Sequence, residues 1–208
     1  MVLLLGLLSQ FLFGVRLLVQ LWYTTRFKST AVPFSYWLIS LWAALFYFSY
    51  GVLRNDIVIV LGQLITYFIY IRNVQLQGKW SVLPIPGRIF YMVMPIVMFI
   101  WFVLTAETLE LRNLNNPILL AGFLGQLMMN LRFIIQWLYA ERVNNASFPG
   151  FFWCVSIVGS LMLMVYGLWH PLHGFDPVII LSQLLAMTVY VRSLYLQRRD
   201  HSVKVFQK

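Results

Sequence analysis

The chain has 208 residues, of which 61% are hydrophobic and only 10% charged, and its mean hydropathy is +0.80. A soluble domain keeps its surface wet with roughly a quarter charged residues, so this composition excludes an ordinary water-soluble globule and points to helices facing lipid. The formal net charge of +9 does not point to nucleic acid, because the basic residues sit in short gaps between apolar runs, as membrane topology places them.

Taken in order, seven runs reach or approach the roughly 20 apolar residues that cross a bilayer core. They fall at Val2–Thr24, Ala31–Leu53, Asp56–Leu76, Arg88–Thr105, Pro117–Ala140, Phe148–Trp169 and Asp176–Leu196. The first resembles a signal peptide in its leucine content but lacks a basic leading segment and a small-residue cleavage site, so it is expected to remain as a span. Pro33 and Pro149 open the second and sixth runs, while Asp56 and Asp176 are placed to cap the third and seventh, with Pro177 in the favoured first helical position. Cys154, the single cysteine, lies inside the sixth run and reads as a small apolar filler, which excludes an intramolecular disulfide. His170 and His173 are close in sequence without a third ligand nearby, so no metal and no cofactor are expected. Asn145-Ala146-Ser147 fits a glycosylation pattern but falls on the expected cytoplasmic side, where it carries no meaning.

Two halves of the chain match each other. At an offset of 116, Gln10, Arg16, Gln20, Tyr23, Arg26, Pro33, Trp37, Ser40, Tyr50 and Gly51 meet identical residues. Those partners are Gln126, Arg132, Gln136, Tyr139, Arg142, Pro149, Trp153, Ser156, Tyr166 and Gly167. An insertion around Pro171–Gly174 shifts the offset to 120, and Asp56, Gln63, Tyr70, Arg72 and Gln77 then meet Asp176, Gln183, Tyr190, Arg192 and Gln197. Such a repeat predicts an all-α integral membrane fold: seven transmembrane helices, made of two parallel three-helix repeats plus a linker helix. The expected divisions are 1–80 for the first repeat, 81–112 for the linker, and 113–208 for the second repeat and tail.

Charge sets the expected orientation. Arg26, Lys28, Lys79, Arg88, Arg142, Arg198, Arg199, Lys204 and Lys208 fall on one side, against Arg54 and Arg112 on the other. The positive-inside rule then puts the N-terminus outside and the C-terminus in the cytoplasm, with the two repeats related by an axis along the membrane normal. Arg16 is roughly 12–15 Å from the inner end of its span at 1.5 Å per residue, a depth that costs several kcal/mol without partners. Ser9, Arg16, Gln20 and Tyr23 share one helical face, and Arg132, Gln136 and Tyr139 repeat it. Gln63, Tyr67, Tyr70 and Gln77 share a face of the third run, echoed by Gln183, Tyr190 and Gln197. The glutamines read equally as interhelical ties or as lining of a site. The two arginines, with no acid at matching depth, read as a paired anion site suited to phosphate. Trp37 and Trp153, each three residues before a serine, read either as a stacking surface for a sugar ring or as packing. Arg72 and Arg192 read as anchors that snorkel to the interface.

Gln136-Trp137, Glu141-Arg142, Ser147-Phe148-Pro149, Phe152-Trp153, Asp176-Pro177 and Tyr190-Val191-Arg192 resemble the lipid A biosynthesis N-terminal domain family. The first repeat keeps Gln20, Arg26, Pro33, Trp37 and Tyr70-Ile71-Arg72-Asn73, with Thr25, Ala31 and Ile57 as departures. The three-plus-one-plus-three plan is also similar to SWEET sugar transporters and the PQ-loop superfamily, although Val19 and Ile135 precede Gln20 and Gln136 where that superfamily has proline. The family resemblance implies a multi-pass protein of the bacterial inner membrane, connected with lipid A or envelope glycolipid modification.

No nucleophile–base pair, carboxylate pair or metal constellation is visible, so the sequence reads as a carrier and not an enzyme. The expected activity is flippase-like movement of an anionic lipid-linked sugar, such as a polyprenyl-phosphate monosaccharide, between leaflets. Arg16 and Arg132 are the expected phosphate ligands, and Gln20, Gln136, Gln63, Gln183, Tyr70, Tyr190, Trp37 and Trp153 the expected sugar contacts. Two alternatives stand beside it: a SWEET-like uniporter of free sugars, and a non-transporting membrane anchor of a glycosyltransferase. Membrane lipid, the anionic glycolipid and a glycosyltransferase are the expected partners; nucleic acid is not.

Overall fold

The computed structural model describes residues 1–27, 33–105, 116–143 and 150–206. Lys28, Ala31, Arg112 and the Asn145–Ser147 pattern lie outside the described residues, as do the side chains of Gln20, Gln136 and Arg142. Among the described residues the fold is helical without a strand: α1 Val2–Phe27, α2 Phe34–Leu53, α3 Ile57–Leu76, α4 Ile85–Thr105, α5 Pro117–Val143, α6 Gly150–Leu168 and α7 Pro177–Phe206, with a short 3₁₀ turn at Trp80–Val82.

Among the described residues four stretches are long and apolar enough to cross a membrane: Phe34–Leu53, Ile57–Leu76, Ile85–Thr105 and Phe151–Leu168. Within α1 and α7 the apolar stretches Val2–Arg16 and Pro177–Arg192 are shorter. Large apolar side chains stand exposed along the helices, among them Phe11, Leu18, Ile100, Trp101 and Leu185. Such a surface is solvated by hydrocarbon rather than water. The coarse expectation of an all-helical membrane protein therefore stands, with four helices meeting the span criterion.

The chain divides into two compact units, Met1–Arg112 and Asn113–Lys208. In the first, α2 is the central helix: α1 and α3 pack along it, and α4 packs on α2 and α3. Its core holds Leu41, Ala44, Leu45, Tyr67, Tyr70, Ile71, Val74 and Tyr91, with Met94 and Met98 of α4 against it. In the second unit α6 takes the central place, with α5 and α7 along it.

The same devices join α2 to α3 in the first unit and α6 to α7 in the second. Asp56 caps α3 by accepting from the backbone N–H of Ile59 at 3.0 Å, and its own N–H donates to the carbonyl of Gly51 at 2.9 Å. Asp176 accepts from Val178 and Ile179 at 2.9 and 3.1 Å, and its N–H donates to Gly167 at 2.7 Å. Both aspartates are fully buried, as caps folded under a helix end rather than surface acids. The two glycines bring the helix ends together. A Cβ on Gly51 would lie 2.7 Å from Ile59 Cγ2, and one on Gly167 would lie 2.9 Å from Ile179 Cγ2. The insertion in the second unit forms a closed turn in which His170 and Gly174 exchange backbone hydrogen bonds of 2.6 and 2.8 Å. Gly174 there has φ of 69°, a left-handed conformation that glycine adopts without steric cost. His170 is buried against Tyr166, Nε2 to hydroxyl 3.1 Å.

Candidate functional site

A half-buried arginine organises the interior of each unit. Arg16, on α1, reaches across α2 to α3: its Nη1 donates to the Tyr70 hydroxyl at 2.7 Å and to Ser40 Oγ at 3.3 Å. Ser40 is fully buried on α2 and donates in turn to the Tyr36 carbonyl at 2.7 Å. Aromatic rings close round the guanidinium, with Phe13, Tyr36 and Tyr70 centroids 4.6, 5.4 and 5.5 Å from its carbon. Trp37 leans on Tyr70, ring centroids 5.9 Å apart.

The second unit repeats this chemistry. Arg132 of α5 donates to the Tyr190 hydroxyl of α7 and to Ser156 Oγ of α6, the latter at 3.3 Å. Ser156 donates to the Phe152 carbonyl at 2.7 Å. Phe152 and Tyr190 lie 5.7 and 5.0 Å from the guanidinium carbon, and Trp153 is 6.2 Å from Tyr190. Each cation is thus held by two hydroxyl oxygens and by the faces of aromatic rings, the arrangement that lowers the cost of a charge in a low-dielectric interior.

The glutamines sit elsewhere on the same helices. Gln63 and Gln183 are 6% and 9% exposed, and the side-chain carbonyl of each is buried without a hydrogen-bond donor. They precede Tyr70 and Tyr190 by seven residues, two helical turns or about 10 Å along the axis. The Tyr67 hydroxyl and the Trp37 indole nitrogen are likewise buried without a hydrogen-bond partner. Gln20 and Gln136 follow the arginines by one turn on α1 and α5. Arg72 and Arg192 are exposed, in keeping with anchoring positions.

The structure therefore brings together Arg16, Tyr70 and Trp37 in one unit and Arg132, Tyr190 and Trp153 in the other, and leaves Gln63 and Gln183 two turns away. Ser40 and Ser156 complete these clusters and were absent from the expected site. Their signal was present in the sequence, since both are identical across the repeat and lie three residues from a tryptophan. Among the described residues no group of three metal-ligating side chains occurs.

The model of the Lipid A Biosynthesis N-terminal domain matches residues 5–75 and 121–195, which cover the arginine cluster of both units. The chain belongs to this family. Its relatives include three proteins named Lipid-A-disaccharide synthase. The protein of Chlamydia pneumoniae is 28% identical over 78% of this chain and 28% of its own length. That of Chlamydia felis is 26% identical over 85% and 30%, and that of Chlamydia trachomatis serovar D 29% identical over 78% and 29%. The chain thus spans less than a third of the length of these curated relatives. No solved structure matches it.

These family relatives correct two expectations. The reading as a flippase-like carrier of a lipid-linked sugar is overturned, because the relatives are named for the synthesis of a lipid A disaccharide and not for transport. The expectation that the chain is not an enzyme is corrected by the same names, which are those of a synthase. The physical reason for the error lies in the polar stripe. A polar stripe does not by itself make a path for cargo: within each unit the half-buried arginine donates to a serine and a tyrosine of the other two helices of its repeat.

Proposed function

We propose that this chain is a non-transporting membrane anchor that holds a glycosyltransferase of the lipid-A-disaccharide synthase kind at the bacterial inner membrane. The observation that carries the reading is the match of most of the chain to less than a third of enzymes bearing that name, in a region where four helices are long and apolar enough to span. In this reading all seven helices cross the bilayer, as a three-helix repeat over 1–80, a linker over 81–112 and a second repeat over 113–208. The N-terminus lies outside and the basic tail in the cytoplasm.

The anchor also keeps the glycolipid near the enzyme. Arg16 and Arg132 hold the phosphate of an anionic glycolipid, and the neighbouring Tyr70, Tyr190, Trp37, Trp153 and glutamine side chains meet its sugar. Both an acylated sugar phosphate and a polyprenyl phosphate sugar offer this chemistry, and retention of one or the other by the purified chain distinguishes them.

Flotation tests the anchor. Vesicles carrying the purified chain, and empty vesicles of the same lipids, are mixed with a lipid-A-disaccharide synthase lacking the segment that matches this chain. The enzyme is expected to float only with the loaded vesicles. Equal sedimentation from both would overturn the reading.

A further inference from the structure

The insertion that lengthens the turn between α6 and α7 is closed by one residue. Pro171 has no N–H, and the next three N–H groups all end on His170. Those of Leu172 and His173 donate to its ring Nδ1 at 3.2 and 3.3 Å, and that of Gly174 donates to its carbonyl at 2.8 Å. His170 is 2% exposed. Its other ring nitrogen, Nε2, lies 3.1 Å from the Tyr166 hydroxyl, and the rings of Tyr166 and His173 flank it with centroids 4.9 and 5.0 Å away. Tyr166 is itself fully buried against α5, where a Cβ on Gly122 would lie 2.7 Å from its ring.

This geometry assigns the ring its protons. A neutral imidazole has one donor and one acceptor nitrogen, whereas the imidazolium has two donors and no acceptor. Two N–H groups converge on Nδ1, so that nitrogen is the acceptor, and the proton is on Nε2, where it donates to Tyr166. A further proton would sit on Nδ1 and face both backbone donors, leaving all three without an acceptor. The cationic ring and the closed loop therefore exclude each other.

Few other ionisable groups surround the ring. From α6 there is Tyr166, and within the loop the exposed His173. At the start of α7 there is Asp176, fully buried, whose Oδ1 accepts from the N–H groups of Val178 and Ile179. On α5 the stretch from Pro117 to Gly122 has no ionisable side chain, and Glu107, Glu110 and Arg112 lie outside the described residues. The first unit offers an internal comparison. The N–H groups of its tip, Arg54 to Asp56, end on backbone carbonyls, which do not titrate.

We propose that His170 is a proton-operated latch: the α6–α7 loop is closed while the ring is neutral and opens when Nδ1 takes a proton. The closed loop binds one proton fewer than the open one, so closure holds at neutral pH and is lost as the pH falls through the ordinary histidine range, near about 6.5. The latch is independent of the anchoring role proposed above and of which side of the membrane the loop faces.

Nitrogen NMR and hydrogen exchange on the full chain in lipid nanodiscs test the latch. The histidines are His170, His173 and His201, so labelling histidine alone gives signals that single replacements by asparagine assign. At neutral pH the His170 ring is expected to be the tautomer protonated on Nε2. Between about pH 7.5 and about pH 5, protection of the Leu172 and His173 amides, corrected for intrinsic exchange, is expected to fall roughly thirtyfold, the ratio set by an ordinary histidine in the open loop. The Asn55 and Asp56 amides are expected to hold steady. His170→Asn, whose side-chain oxygen can accept the same N–H groups, is expected to keep the loop protected at both pH values, while His173→Asn keeps the wild-type fall. A ring protonated on Nδ1 at neutral pH would overturn the latch. So would protection that does not change with pH, an equal loss at Asn55 and Asp56, or a fall that persists in His170→Asn or vanishes in His173→Asn.

Discussion

At the scale of single residues, the two glycines at the helix ends make the sharpest prediction. Any side chain at Gly51 or Gly167 meets an isoleucine Cγ2 within 2.9 Å. Overpacking of this kind costs about 1–3 kcal/mol. Gly51→Ala is therefore expected to lower the unfolding temperature in detergent, and Ile59→Ala in the same chain to recover part of the loss, measured as a double-mutant cycle. Gly125 gives the contrast: its Cβ would lie 2.9 Å from the backbone carbonyl of Gly159, where no side chain can yield. Gly125→Ala should resist such rescue. At the arginines, a charge-assisted hydrogen bond contributes about 1.5–3 kcal/mol. If they hold a lipid phosphate, Arg16→Gln is expected to reduce retention of an anionic glycolipid by roughly ten- to a hundredfold. Tyr70→Phe, which keeps the cation, should weaken the tie between α1 and α3 while preserving most of the retention. Equal retention by wild type and Arg16→Gln would remove the phosphate role.

At the scale of helices, the caps offer a comparison internal to the molecule. Asp56→Ala leaves the Ile59 N–H without its acceptor, and Asp176→Ala removes the acceptor of two N–H groups. Loss of such a cap costs about 0.5–2 kcal/mol. The Asp176 variant is expected to lose more stability than the Asp56 variant, and the asparagine replacements to lose least, when unfolding is followed by circular dichroism. These caps were legible in the sequence, because an aspartate before an apolar run and a following proline have a local physical meaning. Most helix bounds were legible for the same reason: α2 and α3 end at Leu53 and Leu76, where the apolar runs stop. The end of α7 was not. The apolar run closes at Leu196, yet the helix continues to Phe206 through arginine, glutamine and lysine, which are good helix formers in their own right. The repeat showed that Arg16 and Arg132 correspond, but not that each faces a serine and a tyrosine of its own unit. Correspondence between copies says which residues are equivalent, whereas contact depends on which helices are neighbours.

At the scale of the whole molecule, orientation is open to a direct measurement. In a Cys154→Ser background, a cysteine at Leu172 is expected to react with an impermeant reagent in intact cells, and one at Gln77 only after permeabilisation. The reverse pattern would invert the proposed topology and place the basic tail outside. The short tip between α2 and α3 also bears on how the chain enters the bilayer. Three residues, Arg54 to Asp56, make the reversal: Arg54 N–H donates to Tyr50, Asn55 N–H to Val52, and Asp56 N–H to Gly51. Asn55 takes φ of 54°, which asparagine tolerates better than most residues. The backbone N–H groups of the tip are thus satisfied by residues of the same turn and of α2. During biogenesis such a pair is expected to enter the bilayer as one folded package, since the N–H groups of its tip are already bonded and need not be stranded in hydrocarbon. The second pair has a wider tip, shut by the His170–Gly174 bridge and filled by a histidine ring. That loop has to close before its backbone is bonded in the same way, so the two halves of a duplicated protein, alike in sequence, are expected to enter the membrane by unequal steps.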